Sequence, residues 1–389
     1  MSDEVRDYVT RPAKVKLGDV VEINTDTPPS YDGVKNYIST GAVQDNGVDV
    51  AQVEQWGYLE RPSRANLYPA EGDVLFAKMQ ATRKVIVATS EIAGSLFSTG
   101  FYALRVKPDR LDRGLLVHYL KSDSFNCQKD RECKGATQKA LNGSGFDKLT
   151  LKLPSISEQK KLVARLDVTC GLIAKRKEQL AKLDQLVKSR FVEMFGDPVS
   201  NTGGWPTDFL GNRCEITTGN TPPRSNPSNY GDFLEWVKSD NIVDGRLTEA
   251  RECLSEHGAR LSRRAAAGSL LMTCIAGSLN SIGNVAVIDR EVAFNQQLNA
   301  ITPKCDDPYF LMWMFKLARS LLHDGINKCL KGILSKGTLS NKRFPFPPLS
   351  LQREFAAFVA EVDKSEFALR KRLEKARQLY RAKLQEYFG

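Results

Sequence analysis

The sequence is short of the residues that most often carry chemistry. It has only three histidines among 389 residues, His118, His257 and His323, and they sit in unrelated surroundings. Each reads as a surface or core histidine, and no Ser/His/Asp set can be assembled. Eight cysteines are scattered without CxxC spacing, and the closest pair, Cys127 and Cys133, has only His118 nearby. That spacing does not build a zinc site, so free thiols in a reducing cytosol are expected. No run of 18 apolar residues is present, which excludes a membrane-spanning helix. The opening stretch, MSDEVRDYVTRP, lacks the apolar core of a signal peptide, so a cytoplasmic protein is expected.

Motifs for catalysis are missing as well. There is no GxxxxGK[ST] phosphate loop. An adenine methyltransferase needs an Asp/Asn-Pro-Pro-Tyr/Phe string. The nearest sequences, Asp26-Thr27-Pro28-Pro29 and Phe346-Pro347-Pro348-Leu349, do not fit, and Thr-Pro-Pro reads as a turn. Asp232, Glu235 and Lys238 are too loosely spaced for a nuclease centre, and nothing matches them earlier in the chain. These searches therefore return no catalytic set among the residues.

What is present is a repeat. Leu17-Gly18 matches Leu210-Gly211, Glu22-Ile23 matches Glu215-Ile216, and Thr25 matches Thr218, all at an offset of 193. Pro154, Ser157 and Gln159 match Pro347, Ser350 and Gln352 at the same offset, and Glu193, Phe195 and Gly196 match Glu386, Phe388 and Gly389. Between these anchors the offset drifts. Thr27-Pro28-Pro29 pairs with Thr221-Pro222-Pro223 at 194, Gly72–Leu75 with Gly268–Leu271 at 196, and Lys134-Gly135 with Lys331-Gly332 at 197. Small compensating insertions of this kind are tolerated in surface loops. The unit is far longer than a solenoid repeat, so each copy can bury its own core.

Each copy ends in a long helix. Ser157 after Pro154 is a start signal, and Gly196 before Pro198 is a stop. Leu166, Ile173, Leu180, Val187 and Met194 recur every seven residues, widened by Leu162, Leu172, Leu183 and Leu186. The second helix starts near Ser350 and carries Phe355, Val359, Val362, Leu369, Leu373, Tyr380, Leu384 and Tyr387. Helices of about 39 residues span roughly 58 Å and need a partner along such a stripe. Each helix is the other's first candidate; packing only on its own globular domain is the alternative. Residues 157–195 carry nine Lys/Arg against five Asp/Glu, and residues 350–388 nine against six. These segments hold +7 of the +10 net charge, a balance that suits a polyanionic partner. The front of each copy is a run of short apolar strands such as Val74–Phe76, Val85–Val87, Leu270–Met272 and Val285–Val287. With short helices near Leu115–Lys121 and Pro308–Leu322, it reads as a β-rich α/β domain. The two fronts agree much less than the two helices do.

Two divergent domains alternating with two equivalent long helices resemble the specificity subunit of type I restriction–modification systems. Leu153–Lys160 and Pro347–Arg353 resemble that family's approach to its two central helices. Phe191–Pro198 followed by Gly204-Trp205-Pro206 resembles its passage into the second recognition domain. Gly268–Val287 and Asn295–Asn299 resemble its recognition signatures. The first copy departs from the pattern, with GDVLFAKMQATRK at Gly72–Lys84 and Ser98-Thr99-Gly100 where the second has Asn295-Gln296-Gln297. The resemblance implies an α+β fold. Two recognition domains, at 1–156 and 197–349, are joined by spacer helices at 157–196 and 350–389 that pair as an antiparallel coiled coil with pseudo-two-fold symmetry.

It further implies a bipartite, asymmetric double-stranded DNA target. The expected partners are modification subunits, two in number, and restriction/translocase subunits. S-adenosylmethionine, ATP and Mg²⁺ belong on those partners. Side chains placed to meet DNA are Lys78, Gln80, Arg83 and Lys84 in the first copy and Ser278, Asn280, Ser281 and Asn284 in the second. Lys134, Arg224, Lys238 and Lys331 are placed against phosphates. Two readings stay open beside this one: a coiled-coil scaffold that binds no DNA, and a specificity module of a modification-only system.

Overall fold

A computed structural model describes residues 13–44, 47–243, 245–326 and 332–389. The chain forms two units, Met1–Lys177 with Lys371–Gly389, and Glu178–Arg370. In the first, Val21–Asn24, Phe101–Val106, Val74–Ala77 and Val85–Val87 make a four-stranded antiparallel sheet in that order. Side chains alternate across a strand, and here both faces are covered. Val74 and Phe76 pack toward Leu115, Tyr119 and Phe125, while Leu75 and Ala77 pack toward Ile38, Leu67 and Phe97 of a second sheet. Burial on both sides is why this strand reads as an unbroken apolar run. The second sheet runs Glu54–Trp56, Lys35–Ile38, Leu96–Ser98, Ala65–Leu67, with Lys35–Ile38 and Leu96–Ser98 parallel.

The second unit repeats this plan with other residues. Its first sheet runs Cys214–Thr218, Leu298–Pro303, Leu270–Thr273, Val285–Val287. Its second sheet again contains one parallel pair, Leu234–Val237 with Val292–Phe294. Divergent fronts thus share the strand order of the main sheet, while among the described residues the second sheet has four strands in the first unit and five in the second.

The helices of the fronts differ from expectation in two places. Arg113–Lys121 is followed directly by Asp123–Glu132, capped by the Ser122 hydroxyl, which accepts from the Phe125 N–H at 3.2 Å. Phe125 is nearly the only apolar residue of that second helix, so hydrophobic periodicity gave no sign of it. The expected helix Pro308–Leu322 is two helices, Pro308–Leu317 and Arg319–His323, parted at Ala318, which leaves helical geometry (φ −93°, ψ 31°).

The long helices are Ile156–Phe195 and Leu349–Phe388, 40 residues each. In the first unit Leu166, near the start of one, shares a core with Leu384 and Phe388, near the end of the other. In the second unit the ends are exchanged: Val187, Phe191 and Phe195 share a core with Phe355, Val359 and Val362. The rings of Phe191 and Phe195 meet that of Phe355 edge-on at 5.4 and 5.6 Å. Start against end in both units is antiparallel pairing, and every position of the seven-residue stripe is at least half-buried. Leu172 and Leu186 do not widen it. They are 44% and 49% exposed, because they lie off the seam at 3.6 residues per turn.

Each long helix is fastened to its own front domain by a buried glutamine, and both are fully inaccessible to solvent. Gln159 Oε1 accepts from the Asp112 N–H (2.7 Å), and its Nε2 donates to the carbonyls of Arg110 and Pro154 (2.9 Å each). Gln352 Oε1 accepts from the Asp307 N–H (2.9 Å), and its Nε2 donates to Asp306 Oδ1 and Pro347 O (2.9 Å each). Asp112 and Asp307 in turn cap the helices that follow them. The repeated Pro…Ser-x-Gln string is therefore a joint: one side chain reads three backbone or carboxylate groups across a bend.

His118 adds a polar contact in the first unit. Its Nε2 donates to Asp167 Oδ1 on the first long helix (2.9 Å), and its Nδ1 accepts from the Tyr380 hydroxyl on the second (2.8 Å). Burial holds the imidazole below its ordinary pKa of 6.5, against the opposing pull of Asp167.

Two outcomes follow from these joints. Gln159→Leu strands a buried N–H and two carbonyls, at about 1–3 kcal/mol for each group left unsatisfied. Its melting temperature in a thermal scan is expected to drop by roughly 6 °C or more, with Gln352→Leu behaving alike. For His118 the folded state binds the proton less readily than the unfolded one. Its stabilising contribution is therefore complete above pH 6.5 and declines as pH falls below it. Melting temperatures followed from pH 8 to 5.5 should show this loss in the native chain and a flatter profile in His118→Gln.

Candidate nucleic-acid interface

In each main sheet a turn joins a central strand, Val74–Ala77 or Leu270–Thr273, to the edge strand beside it, Val85–Val87 or Val285–Val287, and this turn is where the two units part company. In the first unit Ala77–Lys84 closes a hairpin, with Ala77 N–H bonded to Lys84 O at 3.0 Å. Ala81 at its tip has φ +60°, uncommon for a residue with a Cβ. Lys84 Nζ donates to Thr40 O (2.7 Å) and Gly41 O (3.2 Å). Lys78 is half-buried with its ammonium 4.3 Å from the Tyr102 ring centre, and desolvation lowers its pKa. Arg83 pairs with Asp130 at 2.6 Å, and Gln80 donates to Asp130 O at 3.1 Å. The segment Lys134–Leu141 lies alongside, through Gln80 N–H to Lys139 O (2.9 Å) and Leu141 N–H to Lys78 O (3.0 Å). Gly135 turns it at φ +140°, where a Cβ would meet Gln138 O at 2.4 Å.

In the second unit the corresponding turn, Cys274–Asn284, is longer and contains no lysine or arginine. Ser278 caps a short 3-10 helix, Leu279–Ser281. Ser278 and Asn280 are exposed, Ser281 and Asn284 half-buried. Ile275–Ala276 pairs with Gly332–Ile333, as Met79 bridges Ala140 in the first unit. The turn is joined to the neighbouring surface by Asn295–Gln297. Gln297 O accepts from the N–H groups of Cys274 (2.8 Å) and Ile275 (3.2 Å), and Gln297 Oε1 accepts from the Ser239 hydroxyl (3.1 Å). Gln296 accepts from the Thr221 hydroxyl of the Thr-Pro-Pro loop. Beside it Arg224 and Lys238 grip the two oxygens of Glu252, with Arg224 at 2.7 Å. The Lys238 bond above all holds that carboxyl below the usual range. The Trp236 ring lies 5.1 Å from the Arg224 guanidinium and 4.9 Å from the Lys238 ammonium. Two cations on one carboxylate leave a net positive charge over an aromatic floor, an arrangement that suits an anionic backbone lying across it.

Residues 13–185 and 203–376 match the type I restriction modification DNA specificity domain. The chain belongs to this family. A stretch of 214 residues is 27% identical to the type I restriction enzyme HindI specificity subunit of Haemophilus influenzae, covering 50% of this chain and 45% of that protein. The chain thus spans about half the length of the curated relative it matches. Two solved structures share the fold along almost the full length. One is a chain from a study of complex assembly and conformational transition of the type I R-M system, with TM-score 0.53, 22% identity and 97% of each chain covered. The other is a type I restriction-modification system S subunit from M. genitalium, with TM-score 0.51, 13% identity, and 100% of this chain and 99% of that one covered.

Within this specificity family the residues chosen from sequence fall into three groups. Gln80, Arg83, Lys84 and Lys134 come together at one edge of the first unit with Lys78 half-buried among them, and Arg83 and Lys84 are already bonded within the protein. Ser278, Asn280, Ser281 and Asn284 form the turn of the second unit, and Arg224 with Lys238 form the separate aromatic patch. Lys331 lies outside the described residues. Sequence reading did not single out Lys139 and Arg64, which border these segments through their backbone carbonyls. Arg64 supports the Ser98–Gly100 link, its carbonyl accepting from the Thr99 N–H at 2.8 Å. Nor did sequence reading single out Arg263, which donates to Thr218 O at 2.7 Å beside the Thr-Pro-Pro loop. The Arg263-Arg264 doublet was the visible signal for the last. Glu235, weighed for a nuclease centre, is bonded to Arg290. Among the described residues no group of three or more His, Cys, Asp or Glu could hold a metal, and no helix is long and apolar enough to cross a membrane. Burial pushes the Cys214 and Cys274 thiols up to about 12, so neither is a ready nucleophile.

Gly219 controls how closely the Thr-Pro-Pro loop approaches Asn295–Gln297. A Cβ there would lie 2.2 Å from Asn295 O and 2.4 Å from Phe294 O, both fixed backbone atoms. Gly219→Ala is expected to destabilise the chain by about 1–3 kcal/mol, read as a lower denaturation midpoint in urea at unchanged slope.

Proposed function

We propose that this chain is the DNA-recognition subunit of a type I restriction–modification complex, reading a bipartite, asymmetric duplex sequence with one front domain per half. The observation that carries the reading is one scaffold bearing two different turns. The same sheet order presents Lys78–Lys84, basic, in one unit and Ser278–Asn284, neutral and polar, in the other. Side chains of both kinds meet base edges in the major groove, and flanking cations hold phosphates. An equal pair of surfaces would read a palindrome; an unequal pair reads a split sequence.

On this reading the chain catalyses nothing and works in the cytoplasm. Two modification subunits bring S-adenosylmethionine and methylate adenine, and restriction/translocase subunits bring ATP and Mg²⁺. Methylation of both strands needs two methylating units facing DNA in opposite senses, and a tandem duplication with antiparallel helices supplies that relation. The long helices act as a ruler between the halves. The +7 on the helical segments is open to subunits or DNA phosphates alike.

The test is methylome sequencing of cells carrying this chain with its modification subunit. The expected result is methyl-adenine on both strands of one split, non-palindromic motif. Four residues inserted into one long helix lengthen it by about 6 Å, so the motif's gap should grow by one or two base pairs with both halves unchanged. An unchanged gap would sink the ruler, and the absence of any split motif would sink the function.

A further inference from the structure

In each unit the variable turn is held from behind by side chains of the helix that follows the first short helix of the front. In the first unit the grip comes from two adjacent residues of Asp123–Glu132. Lys129 is 1% exposed, and its ammonium donates to the carbonyls of Met79 (3.0 Å), Thr82 and, at the limit, Ala77 (3.5 Å). Asp130 accepts from the Ala81 N–H (3.0 Å) and from Arg83 (2.6 Å), and its own carbonyl accepts from Gln80 (3.1 Å). Donors and acceptors at successive positions of the turn are thereby fixed, and Ala81 is kept at positive φ. Such a conformation persists in a residue with a Cβ only where its surroundings over-determine it.

The second unit reaches the same end with other residues. Arg319, on Arg319–His323, donates to Asn280 O (2.8 Å) and Asn284 Oδ1 (2.7 Å), and His323 Nε2 donates to Ile282 O (2.9 Å). Lys129 and Arg319 are 190 residues apart, off every offset of the repeat, so they are not equivalent positions; only the task is shared. Lys129 bonds backbone carbonyls alone, and in the second unit two of the three bonds fall on backbone carbonyls. A cation that bonds carbonyls is indifferent to the side chains between them, so the turn's sequence can change while its shape is kept. Burying an ammonium is expensive unless its donors are satisfied, and Lys129 has three carbonyls to satisfy it.

We propose that Lys129 and Arg319 are positioning residues for target specificity, each setting the shape of the turn in its own unit without reading a base. The proposal rests on the function given above. Its signature is separation of the two halves of the target, since disturbing one clamp should blur one half only. A residue that served stability alone would weaken both halves together.

The experiment uses the full chain co-expressed with its modification subunit. Wild type, Lys129→Met, Lys129→Arg and Arg319→Met are compared by methylome sequencing, and by hydrogen exchange of the purified complexes. Lys129→Met should accept wrong bases in one half-site, with discrimination there falling about tenfold, while the other half is unchanged. Arg319→Met should do the reverse. Lys129→Arg should recover much of the lost discrimination, and amides of the Lys78–Lys84 turn should exchange faster in Lys129→Met alone. If Lys129→Met fails to accumulate, Asp130→Asn, which keeps the buried cation, should still relax the same half. Unchanged motifs in the variants, or equal relaxation of both halves, would overturn the proposal. If wild type itself methylates no split motif, the functional reading fails instead, and exchange in the turn still reports whether the clamp exists.

Discussion

The organisation of this chain depends on two glutamines that never meet solvent. Gln159 and Gln352 each saturate three partners at the point where a front domain turns into a long helix. A bend between a sheet domain and a 40-residue helix would otherwise leave the last backbone groups of one and the first of the other to water. From the first turn of the long helix, the amide reaches back across the bend to the N–H of a helix-capping aspartate and to oxygens of the front domain, and this makes the joint a single stiff unit. Buried polar networks that are fully satisfied fix one geometry, because any other leaves a group unpaired. Each unit thereby gives its helix a defined departure from the sheet.

The sheets impose a second constraint. Central strands such as Val74–Ala77 and Leu270–Thr273 are covered on both faces, by helices on one side and a second sheet on the other. Such strands admit almost no variation. The turn that joins each of them to its neighbour is at the margin of the domain and is free to vary in length and charge, provided something holds it. The polar grip from behind meets that condition at small cost in sequence. Evolution of one surface then need not disturb the packing beneath it.

The charged side chains at the two faces are mostly bonded within the protein rather than waiting in solvent. Arg83 is on Asp130, and Arg224 and Lys238 share Glu252. Exposed pairs of this kind contribute little to stability. They can be exchanged for a phosphate or a base edge at modest expense, and meanwhile they keep long side chains oriented.

The amino-acid sequence by itself was enough for the tandem repeat, the two long helices and their stripe, and the class of the front domains. Periodicity, start and stop signals and fixed offsets are local properties, and they survive translation into structure. It was also enough to place the variable turns, since the offset drifts there and the residue types change. The role of the repeated glutamine was visible only as a recurrence. Its chemistry lies in partners up to 49 residues away. The helix Asp123–Glu132, with almost no apolar residues, was invisible because its stability comes from a cap and a buried lysine. Which cations stand free and which are already paired, and that Lys129 points inward at three carbonyls, were decided by tertiary structure alone. A lysine in a polar stretch carries no local mark of burial; only the fold supplies the carbonyls that make burial tolerable.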